Sequence, residues 1–174
     1  MTSAELLATI RQLVLGASET STSALAAITY CLWHNPNVLA RLTNEIRTTF
    51  ATSTAITKDD VNRLPYLNAV ISEMFRLFPP VPGNLRRITP PEGCFISEIY
   101  IPGNTIVSYD LWAGGRSAAN FFRPLEFLPE RYLADPPEEF KNDKRKGHQP
   151  FSVGPRNCIG KNLALAEIRL IISK

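Results

Sequence analysis

Between Phe151 and Gly160 the chain reads F-S-V-G-P-R-N-C-I-G, and a run with helical character follows from Lys161 to Lys174. One cysteine, Cys158, is thereby expected at the mouth of a helix. A sulfur there faces unpaired backbone N–H groups and the positive end of the helix dipole, which favour the thiolate. Such a sulfur is a ligand or a nucleophile. Gly154 and Gly160 permit tight turns on either side of it and let a flat partner come close. Arg156 adds a planar cationic fork suited to a carboxylate. With Phe151 as an aromatic wall, these groups describe a pocket for haem held through cysteine. The competing reading is a buried structural cysteine in a glycine turn.

Two further clusters could carry charge or protons. Glu19 and Thr20 lie inside an otherwise apolar helix, where a carboxylate beside a hydroxyl is costly unless solvated or used. The small residues around them, Gly16 to Ser23, also suit a close helix crossing, and their hydroxyls can bond back to carbonyls one turn earlier. Glu73 and Arg76 share a helix face at i,i+3. A later Pro129-Glu130-Arg131-Tyr132, preceded by Phe127, offers a third member, Arg131.

The spaced residues Phe151, Gly154, Arg156, Cys158 and Gly160 match F-x-x-G-x-R-x-C-x-G, and the chain resembles the cytochrome P-450 family of haem-thiolate monooxygenases. Gly16-Ala17-Ser18-Glu19-Thr20 resembles the family's A/G-G-x-D/E-T oxygen-activation motif, departing at Ala17, where glycine is usual. Glu73-x-x-Arg76 and the Pro129-Glu130-Arg131 segment resemble its E-x-x-R helix and aromatic-x-P-E-R segment, whose glutamate and two arginines form a buried triad locking the loop to the cysteine. The resemblance implies haem b, with Cys158 on the iron, Arg87 and Arg156 on propionates, and Thr20 and Glu19 managing protons. Ala17, Val81 and Leu85 would face substrate. It also implies O2, a small, apolar organic substrate and a reductase as electron donor. Lys141, Lys144, Arg145 and Lys146 form either a solvated loop or a basic rim attracting that donor. His148 is a poor candidate ligand.

The elements that must position these residues read mainly α with a small antiparallel β-sheet. A long helix is expected from Thr2 to about Trp33, opened by a Thr2/Glu5 capping box. Its second half is apolar on every face, as in a helix wrapped by protein on all sides, and the rest of the chain looks too small to wrap it. A second helix runs from Asn35-Pro36 to about Phe50, with Val38, Leu39, Leu42, Ile46 and Phe50 on one face. Thr57 and Asp60 open a short helix, and a third longer one spans Leu64 to Phe78, stopped by Pro79-Pro80. Strands are expected at Leu85–Thr89, Cys94–Ile96, Glu98–Ile101 and Thr105–Ser108. Leu111 to Leu133 shows few helix signals, and Asp135 to Gly147 reads as a mobile charged loop.

At 174 residues the chain could fill one domain. The resembled family is more than twice as long, so residues 1–174 are expected to be the C-terminal haem-binding part of one P-450 domain, with its N-terminal half and extreme C-terminus missing. The three cysteines, Cys31, Cys94 and Cys158, fit neither a disulfide framework nor a C-x-x-C metal site. A net charge of +3 is too small to argue for nucleic acid. No signal peptide or apolar run of 18 residues is present; by resemblance, a full-length form with an N-terminal anchor would sit on the cytoplasmic face of the endoplasmic reticulum. Two alternatives stay open: a truncated non-catalytic fragment, and a haem-thiolate isomerase or dehydratase.

Overall fold

The computed structural model describes residues 1–174 except Asn84, which falls within the Val81–Leu85 stretch. Helix α1 spans Ser3–His34. The Thr2 hydroxyl accepts from the Glu5 N–H at 3.2 Å and the Glu5 carboxylate accepts from the Thr2 N–H at 2.7 Å, closing the expected capping box. Helix α2 (Pro36–Thr49) follows directly. The Asn35 side chain does not cap it but donates backward to the Cys31 carbonyl at 2.7 Å. Thr57 caps the short α3 (Lys58–Val61).

Helix α4 (Pro65–Leu77) is the centre of the packing. Ten of its residues are buried, and it touches α1, α2, a later helix α5 (Leu111–Arg116) and the 3₁₀ turn Pro129–Tyr132. Its first turn is capped from another helix. The Glu45 carboxylate of α2 accepts from the Tyr66 and Leu67 N–H groups at 2.8 and 2.9 Å, placing a negative charge where unpaired donors and the helix dipole favour one. Helix α6 (Lys161–Ser173) closes the core through Ile168.

As expected of a chain too small to wrap it, the second half of α1 is covered on one side only: Ala24, Ile28, Cys31 and Leu32 are buried, whereas Trp33 is 79% exposed. Other expectations are corrected. Leu39 of α2 lies outward, 40% exposed. The strands form two separate two-stranded antiparallel ribbons, not one sheet: β1 (Leu85–Ile88) with β4 (Ile106–Tyr109), and β2 (Cys94–Ile96) with β3 (Ile99–Ile101). Pairing of Ile96 with Ile99 leaves Ser97-Glu98 as a two-residue turn with both φ positive, the geometry that matches strand twist. Glu98 is therefore turn, not strand. Thr89 joins the ribbon ends by donating to the Pro102 carbonyl at 2.7 Å and accepting from the Thr105 N–H at 2.9 Å.

The short α5 was also not expected. Asp110 caps it, accepting from the Ala113 N–H at 2.9 Å. It lies against α4 because Gly115 has no side chain: a Cβ there would stand 2.4 Å from the Arg76 carbonyl oxygen. Gly115→Ala is accordingly expected to cost about 1–3 kcal/mol, the usual range for overpacking. Urea unfolding should show a lower midpoint with an unchanged slope.

Candidate functional site

The segment from Phe151 to Gly160 is a closed loop. The Cys158 N–H donates to the Phe151 carbonyl at 2.9 Å, and the Asn157 N–H donates to that of Gly154 at 3.1 Å. Gly154 has φ +74° and Ser152 φ +59°. The first suits glycine; the second holds a side chain in a left-handed conformation at a cost of about 1–2 kcal/mol. Gly160 differs from what its spacing suggests. Its φ of −85° is open to any residue, and a Cβ there would meet only the Cys158 Sγ, at 3.9 Å. What its missing side chain does is leave that flank of the sulfur clear. Cys158 itself stands before the Gly160 cap, outside the first turn of α6, and its thiol is exposed. Cys31, by contrast, is buried and pushed up to about 12 by burial and the nearby Glu73 carboxylate.

The sulfur borders a cavity of about 210 Å³. Phe151, Arg156 and Cys158 line one side, Gly16, Thr20 and Ala24 of α1 another, and Val81 with Leu85 a third. Gly16, Thr20 and Ala24 recur every four residues and so share one face of the helix. Ala17 and Glu19 are exposed and absent from the lining, which takes Gly16 and Ser21 beside Thr20 instead. The Thr20 hydroxyl donates to the Gly16 carbonyl at 2.6 Å. Gly154 and Gly160 shape the loop without lining the cavity.

A second cleft, of about 570 Å³, shares Leu85 and Arg156 with the first and adds Arg86 and Arg87. Alternation along β1 places Arg87 on the face of Leu85 and Arg86 on the other. Arg87 donates to the Arg86 carbonyl at 2.9 Å and reaches the Ser152 hydroxyl at 3.5 Å. Among the described residues neither Arg87 nor Arg156 forms an ion pair. An apolar slot with an exposed thiol, sharing Leu85 and Arg156 with a cleft lined by three guanidinium groups that form no ion pair among the described residues, fits a flat apolar group bearing carboxylates. Haem is such a group.

Behind the slot lies a fully buried charge network. Arg76 donates to both Glu73 oxygens, at 2.7 and 2.8 Å, and Arg131 donates to Glu73 at 3.1 Å. Asp143 pairs with the other end of Arg131 and is also buried. The triad expected from sequence is thus a tetrad of two acids and two arginines. The spare donors go to backbone carbonyls: Arg76 to Pro124 at 2.6 Å and Glu126 at 2.9 Å, Arg131 to Phe122 at 3.0 Å. Asp143 lies in the stretch expected to be mobile, yet it also accepts from the Phe122 N–H at 2.7 Å, and nearby Phe140 is buried. No spacing rule links residue 143 to residue 131, so sequence reading had no means of finding it.

The basic rim is likewise partly committed. Arg145 donates to the Arg131 carbonyl at 2.7 Å and Lys141 pairs with Glu138, whereas Lys144 and Lys146 form no ion pair among the described residues. His148 is buried, and its Nε2 bonds the Phe75 carbonyl at 3.1 Å.

The chain belongs to the cytochrome P450 family, whose family model matches residues 1–174. It is 47% identical over 174 residues to an averantin hydroxylase of Dothistroma septosporum, covering 100% of this chain and 33% of that one. It is 45% identical over 172 residues to cytochrome P450 monooxygenase stcF of Emericella nidulans, covering 99% and 35%. A third relative, cytochrome P450 monooxygenase aba2 of Botryotinia fuckeliana, is 47% identical over 162 residues, 93% of this chain and 30% of that one. The chain spans about a third of the length of these curated relatives.

Two outcomes follow from this geometry. Asp143→Ala leaves one positive charge of the buried network uncompensated and should cost about 3–5 kcal/mol, while Glu73→Ala takes from Arg76 its only carboxylate and from Arg131 one of its two and should cost at least as much; chemical denaturation measures both. Burial pulls His148 below its ordinary 6.5. The unfolded chain then takes up a proton that the folded chain refuses, so stability is full above about 6.5 and falls as pH drops toward the lowered value. His148→Gln should flatten that part of the stability profile.

Proposed function

We propose that residues 1–174 are the C-terminal haem-binding part of a haem-thiolate monooxygenase acting on a small, apolar organic substrate. The observation that carries this reading is the pair of clefts that share Leu85 and Arg156: an exposed Cys158 thiol and Thr20 in one, Arg87 and Arg156 without an ion pair among the described residues in the other. Cys158 would ligate the iron, and Arg87 with Arg156 would hold the propionates. Phe151 would pack beside the ring, and Gly160 would leave the sulfur's flank clear. Bound haem would supply activation of O2 and transfer of one oxygen atom to the substrate, the thiolate favouring O–O cleavage.

Thr20 is the proton-handling group at this site. Its hydroxyl hydrogen is held by the Gly16 carbonyl, which leaves its oxygen lone pairs turned outward as an acceptor. Glu19 stands outside the lining and would act only from solvent, replenishing protons rather than delivering them. Val81, Leu85 and Ala24 give the cavity an apolar wall that excludes water and suits an apolar substrate. The buried tetrad positions the cysteine loop. An acidic electron donor would meet Lys144 and Lys146.

A second reading is that the 174 residues alone bind haem loosely without turnover. It is favoured by the first half of α1, where Leu7, Leu13, Val14 and Leu15 are 56–62% exposed. Because Glu19 lies away from the cavity, oxygen uptake with an electron donor is the measurement that separates a monooxygenase from a haem-thiolate isomerase.

The deciding experiment is the spectrum of the reduced, carbon monoxide-bound protein. Cys158→Ser should lose the thiolate-type band while Cys31→Ser retains it; a thiolate-type band in Cys158→Ser would refute the assignment. Thr20→Val should lower product formed per O2 consumed, and Glu19→Gln should lower it less. Charge reversal at Lys144 and Lys146 should slow iron reduction most at low salt, where screening is weakest.

A further inference from the structure

Helix α4 ends in a way that the chain around it cannot complete. Inside a helix the Phe75 carbonyl would accept from the N–H four residues on, but that residue is Pro79, which has none. The donor comes instead from a distant part of the sequence: His148 Nε2 bonds this carbonyl at 3.1 Å. A carbonyl only accepts, so Nε2 carries the ring hydrogen and Nδ1 of the neutral ring is bare. That second nitrogen is buried without a partner among the described residues, and His148 as a whole is 7% exposed.

Phe75 is gripped a second time from the same segment. Phe151 meets its ring edge-on at 5.0 Å. Between the two grips the Ser152 N–H donates to the Gln149 carbonyl at 2.9 Å, closing a turn, and the Phe151 carbonyl accepts from the Cys158 N–H at 2.9 Å. The entry of the cysteine loop is thereby tied to the end of α4 through one buried imidazole and one ring contact.

A proton on that imidazole has nowhere to go. It would place a donor at Nδ1 with no acceptor and a charge in an enclosed site. The charged and titratable groups around the ring are Arg76 of α4, itself paired with Glu73, Tyr132 of the 3₁₀ turn, and Lys161 and Arg169 of α6. Arg145, in the same segment as His148, is turned to the Arg131 carbonyl. No aspartate or glutamate lines the cavity beside the ring. Burial holds His148 below its ordinary 6.5, the Phe75 bond opposes this only in part, and Arg76 adds to it.

We infer that His148 is a positioning residue for the cysteine loop, a latch that holds Phe151 and through it Cys158 while the ring is neutral and releases them when it takes a proton. The consequence for the iron rests on the haem-thiolate reading of Cys158; the latch itself does not. A ring released into water regains its ordinary affinity for protons. Each pH unit below about 6.5 therefore multiplies the opened population by about ten, until the enclosed ring itself titrates.

The test is amide hydrogen exchange of the haem-loaded, full-length protein, corrected for the intrinsic pH dependence of exchange. Its comparison is His148→Gln, which keeps a donor for the Phe75 carbonyl and cannot take a proton. On acidification from neutral to about pH 5.5, exchange in Phe151–Cys158 should rise roughly five-fold or more above that of the variant. His148→Ala, which removes the donor, should raise it at every pH. The thiolate-type band of the reduced, carbon monoxide-bound protein should be lost at a higher pH than in His148→Gln. The same pH dependence of loop exchange with histidine and with glutamine would overturn the proposal. So would loop amides that exchange only in step with those of α4, because the loop would then open by global unfolding; that outcome is read on the unaltered protein and needs no variant to fold. A protein without a thiolate-type band at any pH would refute the haem assignment and leave the exchange measurement to decide the latch.

Discussion

Two guanidinium groups cannot be carried into a protein interior without acids to meet them, and that requirement organises the packing around α4. Arg76 and Arg131 are both fully buried, and Glu73 and Asp143 balance them charge for charge. Such a network need not add net stability over an apolar core. What it does is fix geometry, because each missing partner would leave a charge in a low-dielectric interior. It ties α4 to the turn at Pro129–Tyr132, to the carbonyls of Pro124 and Glu126, and to the loop around residue 143. Phe121 and Phe140 pack over the guanidinium faces at 4.7–5.8 Å, excluding water from the pairs.

The cysteine loop is attached to this network at short range. Arg145 bonds the Arg131 carbonyl, and three residues later His148 bonds the carbonyl of Phe75, next to Arg76. Phe151 then stacks edge-on against Phe75 at 5.0 Å, and its carbonyl closes the loop on the Cys158 N–H. The position of the sulfur therefore depends on a charge network it does not touch.

Much apolar surface is left in water. Along α1 and around the cysteine, large side chains such as Leu13, Leu15, Val153, Ile159 and Leu163 are more than half exposed. Large apolar side chains left exposed in this number normally pack against protein or ligand. This exposure accords with a chain that spans about a third of its relatives' length, and it makes the described core, centred on α4, the part best able to hold its shape.

Local chemistry was readable in advance wherever the interacting groups are close in sequence. The Thr2/Glu5 box, the proline start of α2, the Glu73–Arg76 pair and the turn around Gly154 each depend on partners a few residues apart, and each stands where its spacing puts it. Reading also singled out Cys158 and Thr20, which border one cavity, since fixed residue types at fixed intervals mark them. Three features belonged to tertiary structure alone. Asp143 joins the buried charges across 12 residues of irregular loop; Gly115 matters only because another helix's carbonyl lies 2.4 Å from its missing side chain; and Glu19, adjacent to Thr20 in sequence, is rotated out of the cavity by the helix itself. A sequence lists neighbours along the chain, whereas buried charge and packed volume are settled by neighbours in space, and those are known only once the chain has folded.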